Sequence, residues 1–130
     1  MAKFTALNGF PIVSSGNSAP FGLEGARDIA VMVSVAAGTG TNTKLDLWMC
    51  GSSDNGVTWY DVAGKVLPST VAAGGRSVVE QRNIVSAKYD LLAEKFRADF
   101  SNLADDYIAF FWVVSGSSPS FPVTITVVPK

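Results

Sequence analysis

The sequence predicts a mainly β protein, an antiparallel β-sandwich of jelly-roll or immunoglobulin-like type, on three observations. Apolar residues recur in steps of two through several short runs. Gly, Ser, Asn and Pro clusters punctuate those runs about every 8–12 residues. The chain has 130 residues, enough for one core and not two. A single helix near residues 87–103 is the one exception that the pattern suggests.

Residues 1–27 read as an extended arm, ahead of a single β-sandwich domain over residues 28–130. Pro11, Pro20 and several small polar residues break the arm. Phe4, Leu7, Phe10, Ile12 and Val13 are apolar anchors without helical spacing. The arm reads either as a first edge strand with a loop or as a segment that packs on a neighbouring subunit. Residues 28–37 form a strand with Ile29, Val31, Val33 and Val35 on one face. Gly38-Thr39-Gly40-Thr41-Asn42 then predicts a turn and residues 43–52 a returning strand, together a hairpin. A tight turn over 52–56 leads to a strand at 57–62. Short strands are expected at 65–67 and within 76–85.

Tyr89, Leu92, Phe96, Phe100 and Leu103 share one face of a helix, with Ser86 as its cap. The alternation of Phe96, Ala98 and Phe100 with charged neighbours fits a strand instead, and both readings stand. Residues 107–115 are the most apolar run and suit a strand buried on both faces. Gly116-Ser117-Ser118-Pro119-Ser120 predicts a turn, and residues 121–128 the strand that closes a second hairpin. The two hairpin segments begin alike, with Asp28-Ile29-Ala30 and Tyr107-Ile108-Ala109.

Composition excludes much chemistry. Charged residues make up 16% of the chain, against about 25% in ordinary soluble domains. Hydrophobic residues make up 48%, and the surplus points to contact with another protein. There is no histidine, which removes Ser-His and Cys-His nucleophiles and almost every zinc site. With one cysteine, Cys50, no intrachain disulfide can form, and Cys50 reads as a small buried filler. Eleven acidic and ten basic residues leave no field to attract nucleic acid or a membrane surface. No enzyme, cofactor or metal site is expected.

Ser52-x-Asp54-x-Gly56-x-x-Trp59 is the sharpest local pattern. An Asp carboxylate accepts backbone N–H groups across a turn. Glycine takes a positive φ freely, and the Trp packs beneath. The spacing resembles the Asp-box turn of sialidase-type propellers, but a propeller needs far more chain. Ser52, Asp54, Gly56 and Trp59 therefore read as a structural turn clamp. Asp46, Asp61 and Glu80 are the carboxylates to weigh as an acid/base pair, and Asp105-Asp106 as a cation turn. In each case solvated surface is the preferred reading. Trp48, Trp59, Tyr60 and Trp112 contain the makings of a sugar platform. Trp112 falls on the most apolar strand and reads as core. Phe4, Phe10, Trp48 and Tyr60 read better as a protein interface, where aromatics are enriched.

Two segments carry a family resemblance. Residues 45–62, Leu45 to Val62 around the turn clamp, resemble a strand–turn–strand unit of small tailed-bacteriophage virion proteins. Residues 107–128, with their Trp-Val-Val-Ser-Gly-Ser-Ser-Pro-Ser-Phe centre, resemble the closing hairpin of the same proteins. Those are capsid decoration (cement) proteins and related head or tail accessories. The resemblance implies a virion protein made in the host cytoplasm and placed on the outer capsid surface. It implies as partners the major capsid protein and further copies of the chain, as a homo-trimer. The alternative expectation is a carbohydrate- or receptor-binding module of a tail or fibre.

Overall fold

The structure is a computed structural model that describes residues 2–61, 70–72, 76–78, 83–88 and 94–130. Its strands are β1 (Phe4–Ile12), β2 (Gly16–Asn17), β3 (Phe21–Gly22), β4 (Ile29–Val35), β5 (Thr39–Ser52), β6 (Tyr60–Asp61), β7 (Thr70–Ala72), β8 (Arg76–Val78), β9 (Asn83–Lys88), β10 (Glu94–Phe100) and β11 (Tyr107–Pro129). The protein is mainly β, and no helix occurs among the described residues.

All pairings in the main sheet are antiparallel, and they line up as long bent tracks. β11 runs beside β5 from Tyr107↔Ser52 to Ser120↔Thr39. It continues beside β4 from Val123↔Val35 to Pro129↔Ile29. Residues 29–52 and 107–129 are therefore one bent two-stranded ribbon. On the other side of β11, β1 pairs with its C-terminal half. β2 and β3 pair with its N-terminal half. Outside the ribbon's second track, β10 pairs with β4, and β6 and β9 with β5. β7 and β8 form a separate pair.

This layout corrects two expectations. β4 and β5 are not a hairpin: they follow one another along the same flank of β11. Nor do residues 107–128 turn back at 116–120, because β11 is a single strand of 23 residues. The Gly/Ser/Asn clusters that read as turns instead make compensating bulges. Ser115, Ser117 and Ser120 face Lys44, Thr41 and Thr39, so the extra residue falls first on β5 and then on β11. Gly40, Asn42, Gly116 and Ser118 all take positive φ there. Turns and bulges need the same backbone freedom, so the sequence signal is shared. The two segments that begin alike are each other's hydrogen-bonded partners.

The proposed helix near 87–103 is also corrected. Residues 94–100 are β10, with Phe96↔Val33, Ala98↔Val31 and Phe100↔Ile29 in register. The period of two prevails because those partners belong to the buried face of β4. Residues 89–93, and the strand expected at 65–67, lie outside the described residues.

The bend brings both halves of the sheet onto one core. Val31, Val33, Val35, Val123, Ile125 and Val127 from one half share a cluster with Leu45, Leu47, Met49, Ile108, Phe110 and Trp112 from the other. The N-terminal half of β11 is covered on its second face as well, where Ala109 and Phe111 join Trp48, Cys50 and Trp59. This explains the change of pattern along β11. Residues 108–112 are buried on both faces and wholly apolar. From Phe121 onward, buried Val123, Ile125 and Val127 alternate with half-buried Thr124 and Thr126.

Residues 4–22 lie along β11 of their own chain. Serines complete this track where strand pairing lapses. Ser18 donates its backbone N–H to Phe110 O (2.8 Å), and its Oγ accepts the Phe110 N–H (2.9 Å). Ser15 Oγ accepts the Val114 N–H (3.1 Å), and Ser14 O accepts Trp112 Nε1–H (3.0 Å).

Gly116 has φ +107, and a Cβ there would lie 2.6 Å from Asn42 O. The backbone cannot yield at the bend without breaking the ribbon. Gly116→Ala is expected to cost about 3 kcal/mol of stability. Gly25 also has positive φ but faces open space, so Gly25→Ala is expected to cost about 1 kcal/mol. Denaturation midpoints of the two variants check the contrast.

Candidate functional site

The clamp predicted from Ser52, Asp54, Gly56 and Trp59 is brought together at the end of β5. Ser52 Oγ–H donates to Asp54 Oδ1 (2.8 Å). The same oxygen accepts the backbone N–H of Gly56 (2.9 Å) and of Asp54 (3.4 Å). Asp54 Oδ1 accepts the Thr58 N–H (2.9 Å). The Val57 N–H closes the turn onto Asp54 O (3.4 Å). Asn55 (φ 61) and Gly56 (φ 83) occupy its centre, the arrangement of a type I′ turn, which Asn-Gly favours. Trp59 lies beneath, 3% exposed. Its ring meets Phe111 edge-on, with centroids 5.5 Å apart. A Cβ on Gly56 would lie 3.3 Å from that indole, so the glycine serves both backbone and packing.

Electrostatics follow from this geometry. The Thr58 N–H, and then the Ser52 hydroxyl, hold the Asp54 carboxyl below its usual pKa of 3.8. Asp105 shifts the other way: burial, and then the neighbouring Asp106 charge, push its carboxyl above the usual range. Asp105 rests on Gly51 of β5, where any Cβ would collide with its carboxyl carbon. The adjacent Asp106 N–H donates to Ser52 O (3.0 Å). The acidic pair thus abuts the clamp, a junction that sequence spacing did not reveal.

The aromatic residues divide. Phe4 and Phe10 are 39% and 44% exposed on β1, and Tyr60 is 45% exposed on β6. Phe4 packs on Phe21 (4.5 Å between centroids) and Phe10 on Trp112 (5.9 Å). Val13 adds to the exposed apolar surface of this segment. Tyr60 belongs elsewhere, since β3 and β6 are separated by β11 and β5, about 14 Å across the sheet. Trp48 departs from the expected interface: it is 3% exposed and lies in the second apolar cluster. Bulky neighbours on β11 and Trp59 of the clamp cover that face. The Nε1 of Trp48 has no hydrogen-bond partner among the described residues. Trp112 is buried, as its strand predicts.

The register does not set Asp46 and Asp61 opposite one another. Asp61 stands opposite Cys50 in the register, four residues along β5 from Asp46, or about 13 Å of strand. Glu80 lies outside the described residues. Among the described residues no group of three or more potential ligands converges on a metal position.

No family model matches the chain. No curated protein matches it either. Among solved structures, the chain is similar to the SPBc2 prophage-derived protein YomS, at 15% identity and a TM-score of 0.46, over 96% of this chain and 92% of that one. A likeness this slight assigns neither fold nor function.

The opposite pKa shifts make opposite predictions. A lowered folded pKa contributes stability above the unfolded value, and the contribution is lost as pH falls through the folded value. Asp54→Asn is therefore expected to destabilise near neutral pH, with the loss shrinking below the carboxylate range. A raised folded pKa means that ionisation opposes folding. Asp105→Asn is expected to stabilise near neutral pH, with the gain fading in acid. Urea midpoints across pH check both.

Proposed function

We propose that this chain is a structural protein of a phage particle that decorates the outside of the capsid. It cements the shell by bridging neighbouring coat subunits, with the major capsid protein and further copies of itself, as a trimer, for partners. The bent sheet serves this reading as a β-sandwich whose stiffness comes from the shared core. Catalysis has no part in it.

The observation that carries the reading is the exposed apolar surface of the N-terminal track, where Phe4, Phe10 and Val13 face solvent in the single chain. Large exposed apolar side chains gathered on one segment are characteristic of a surface that meets another protein. Residues 45–62, which keep the strand–turn–strand form that resembles decoration proteins, supply the type of partner; residues 107–128 lend no support, because they form one strand and not a closing hairpin. Decoration stabilises a shell by mass action, because contacts that exist only in the assembled state favour that state. The receptor-binding alternative loses support, since the faces of Trp48 and Trp59 needed to stack on a sugar are buried.

Sedimentation of the purified chain with mature, DNA-filled shells of its phage tests the proposal. Saturable binding is expected. Phe10→Asp is expected to weaken it at least tenfold, on the scale of a lost interface anchor of about 2 kcal/mol, while the circular dichroism spectrum is retained. Absence of the chain from purified virions, or no binding to shells, would overturn the reading.

A further inference from the structure

The sequence contains two Asn-Gly dipeptides, Asn8-Gly9 and Asn55-Gly56. Asn-Gly is the peptide most prone to spontaneous deamidation, because glycine leaves its own nitrogen unhindered. The glycine nitrogen, once deprotonated, attacks the Asn side-chain carbonyl carbon. The side-chain amide leaves as ammonia, and a cyclic succinimide remains. Water then opens the ring at either carbonyl, giving aspartate or isoaspartate. Only water is consumed, and each event adds one negative charge.

Both Asn side chains are exposed in this fold, so solvent shielding does not protect them. Yet both glycine nitrogens are engaged in the same way. Gly56 N–H donates to Ser52 Oγ at 2.9 Å. Gly9 N–H donates to Thr124 Oγ1, also at 2.9 Å. The settings are unrelated. Gly56 sits in the clamp turn. Gly9 (φ +58) sits at a bulge where β1 has one residue more than β11 between Leu7↔Ile125 and Phe10↔Val123. A donated hydrogen bond disfavours loss of that proton and points the nitrogen away from the Asn carbonyl carbon.

We infer that Asn8 and Asn55 are latent deamidation sites, each held dormant by one hydroxyl, Thr124 for Asn8 and Ser52 for Asn55. Each hydroxyl is a chemical guard as well as a fold contact. The inference is independent of the proposed function, since it concerns only the chain's own bonds.

The test is peptide mass spectrometry of the full-length chain incubated near neutral pH, with conversion at Asn8 and Asn55 followed separately. In the native wild type both sites are expected to convert several-fold more slowly than in the same chain held in denaturant. Ser52→Ala is expected to accelerate Asn55 roughly two- to tenfold, the range for loss of one hydrogen bond, and to leave Asn8 unchanged. Thr124→Val is expected to do the reverse. Asp54→Ala loosens the same turn but keeps Ser52 on Gly56, so it is expected to accelerate Asn55 less than Ser52→Ala does. Equal rates in native and denatured wild type would overturn the inference. So would acceleration of both sites by either variant, or equal effects of Asp54→Ala and Ser52→Ala. If Ser52→Ala does not fold, Thr124→Val and the denaturant comparison decide.

Discussion

Everything in this fold depends on the double pairing of β11. One strand of 23 residues supplies hydrogen-bond partners to the N-terminal track on one side and to β4 and β5 on the other. It also changes character midway. Residues 108–112 are buried on both faces, and from Phe121 onward the strand is buried on one. The bulges opposite Thr39–Lys44 let it do both, because they bend the ribbon until Val33 and Phe110 share a core. A strand without the bulges would leave a flat sheet with two apolar faces and no inside.

The same requirement accounts for what the sequence reveals and what it hides. The period of two along Ile29–Val35 and Phe121–Val127, and the unbroken apolar run at Ile108–Trp112, were legible because burial acts on each residue locally. The pairing of those runs was not. Gly116 and Gly40 carry the signature of hairpin turns, and the backbone freedom they offer serves a bulge equally well. The supposed helix arose because Phe96, Phe100 and Leu103 satisfy a helical spacing by coincidence. Register with β4 prevails over that spacing. The members of the clamp are legible, since Ser52, Asp54, Gly56 and Trp59 interact over eight residues of chain, but the part of the Ser52 hydroxyl, which takes the Gly56 and Asp54 N–H groups, is not. The alternation of Trp48 with Lys44 and Asp46 points to an outer face, and only the arrival of Trp59 and Phe111 from elsewhere in the chain buries it.

The clamp also shows how local chemistry supports a global pairing. Its turn connects β5 to β6, and its Trp59 closes the second apolar cluster over β5 and β11. The Asp106 N–H reaches Ser52 O just before β11 begins. The start of the long strand is thus anchored at the same place as the turn. In this light the thin charge and apolar excess of the chain have two destinations. Most of the surplus fills two clusters on either side of one half-sheet. Among the described residues the exposed remainder is divided between Phe4, Phe10 and Val13 of the N-terminal track, where a partner surface is proposed, and Met32, Val57, Tyr60 and Val113 elsewhere.

The two halves of β11 belong to one cooperative framework rather than to two sheets that open separately. Native-state hydrogen exchange measures this directly through the amides of Phe110, in the first half, and Ile125, in the second. Both are expected to exchange only through global unfolding, with the same free energy and the same denaturant dependence. Exchange of Ile125 through a smaller opening that leaves Phe110 protected, or the reverse, would contradict it.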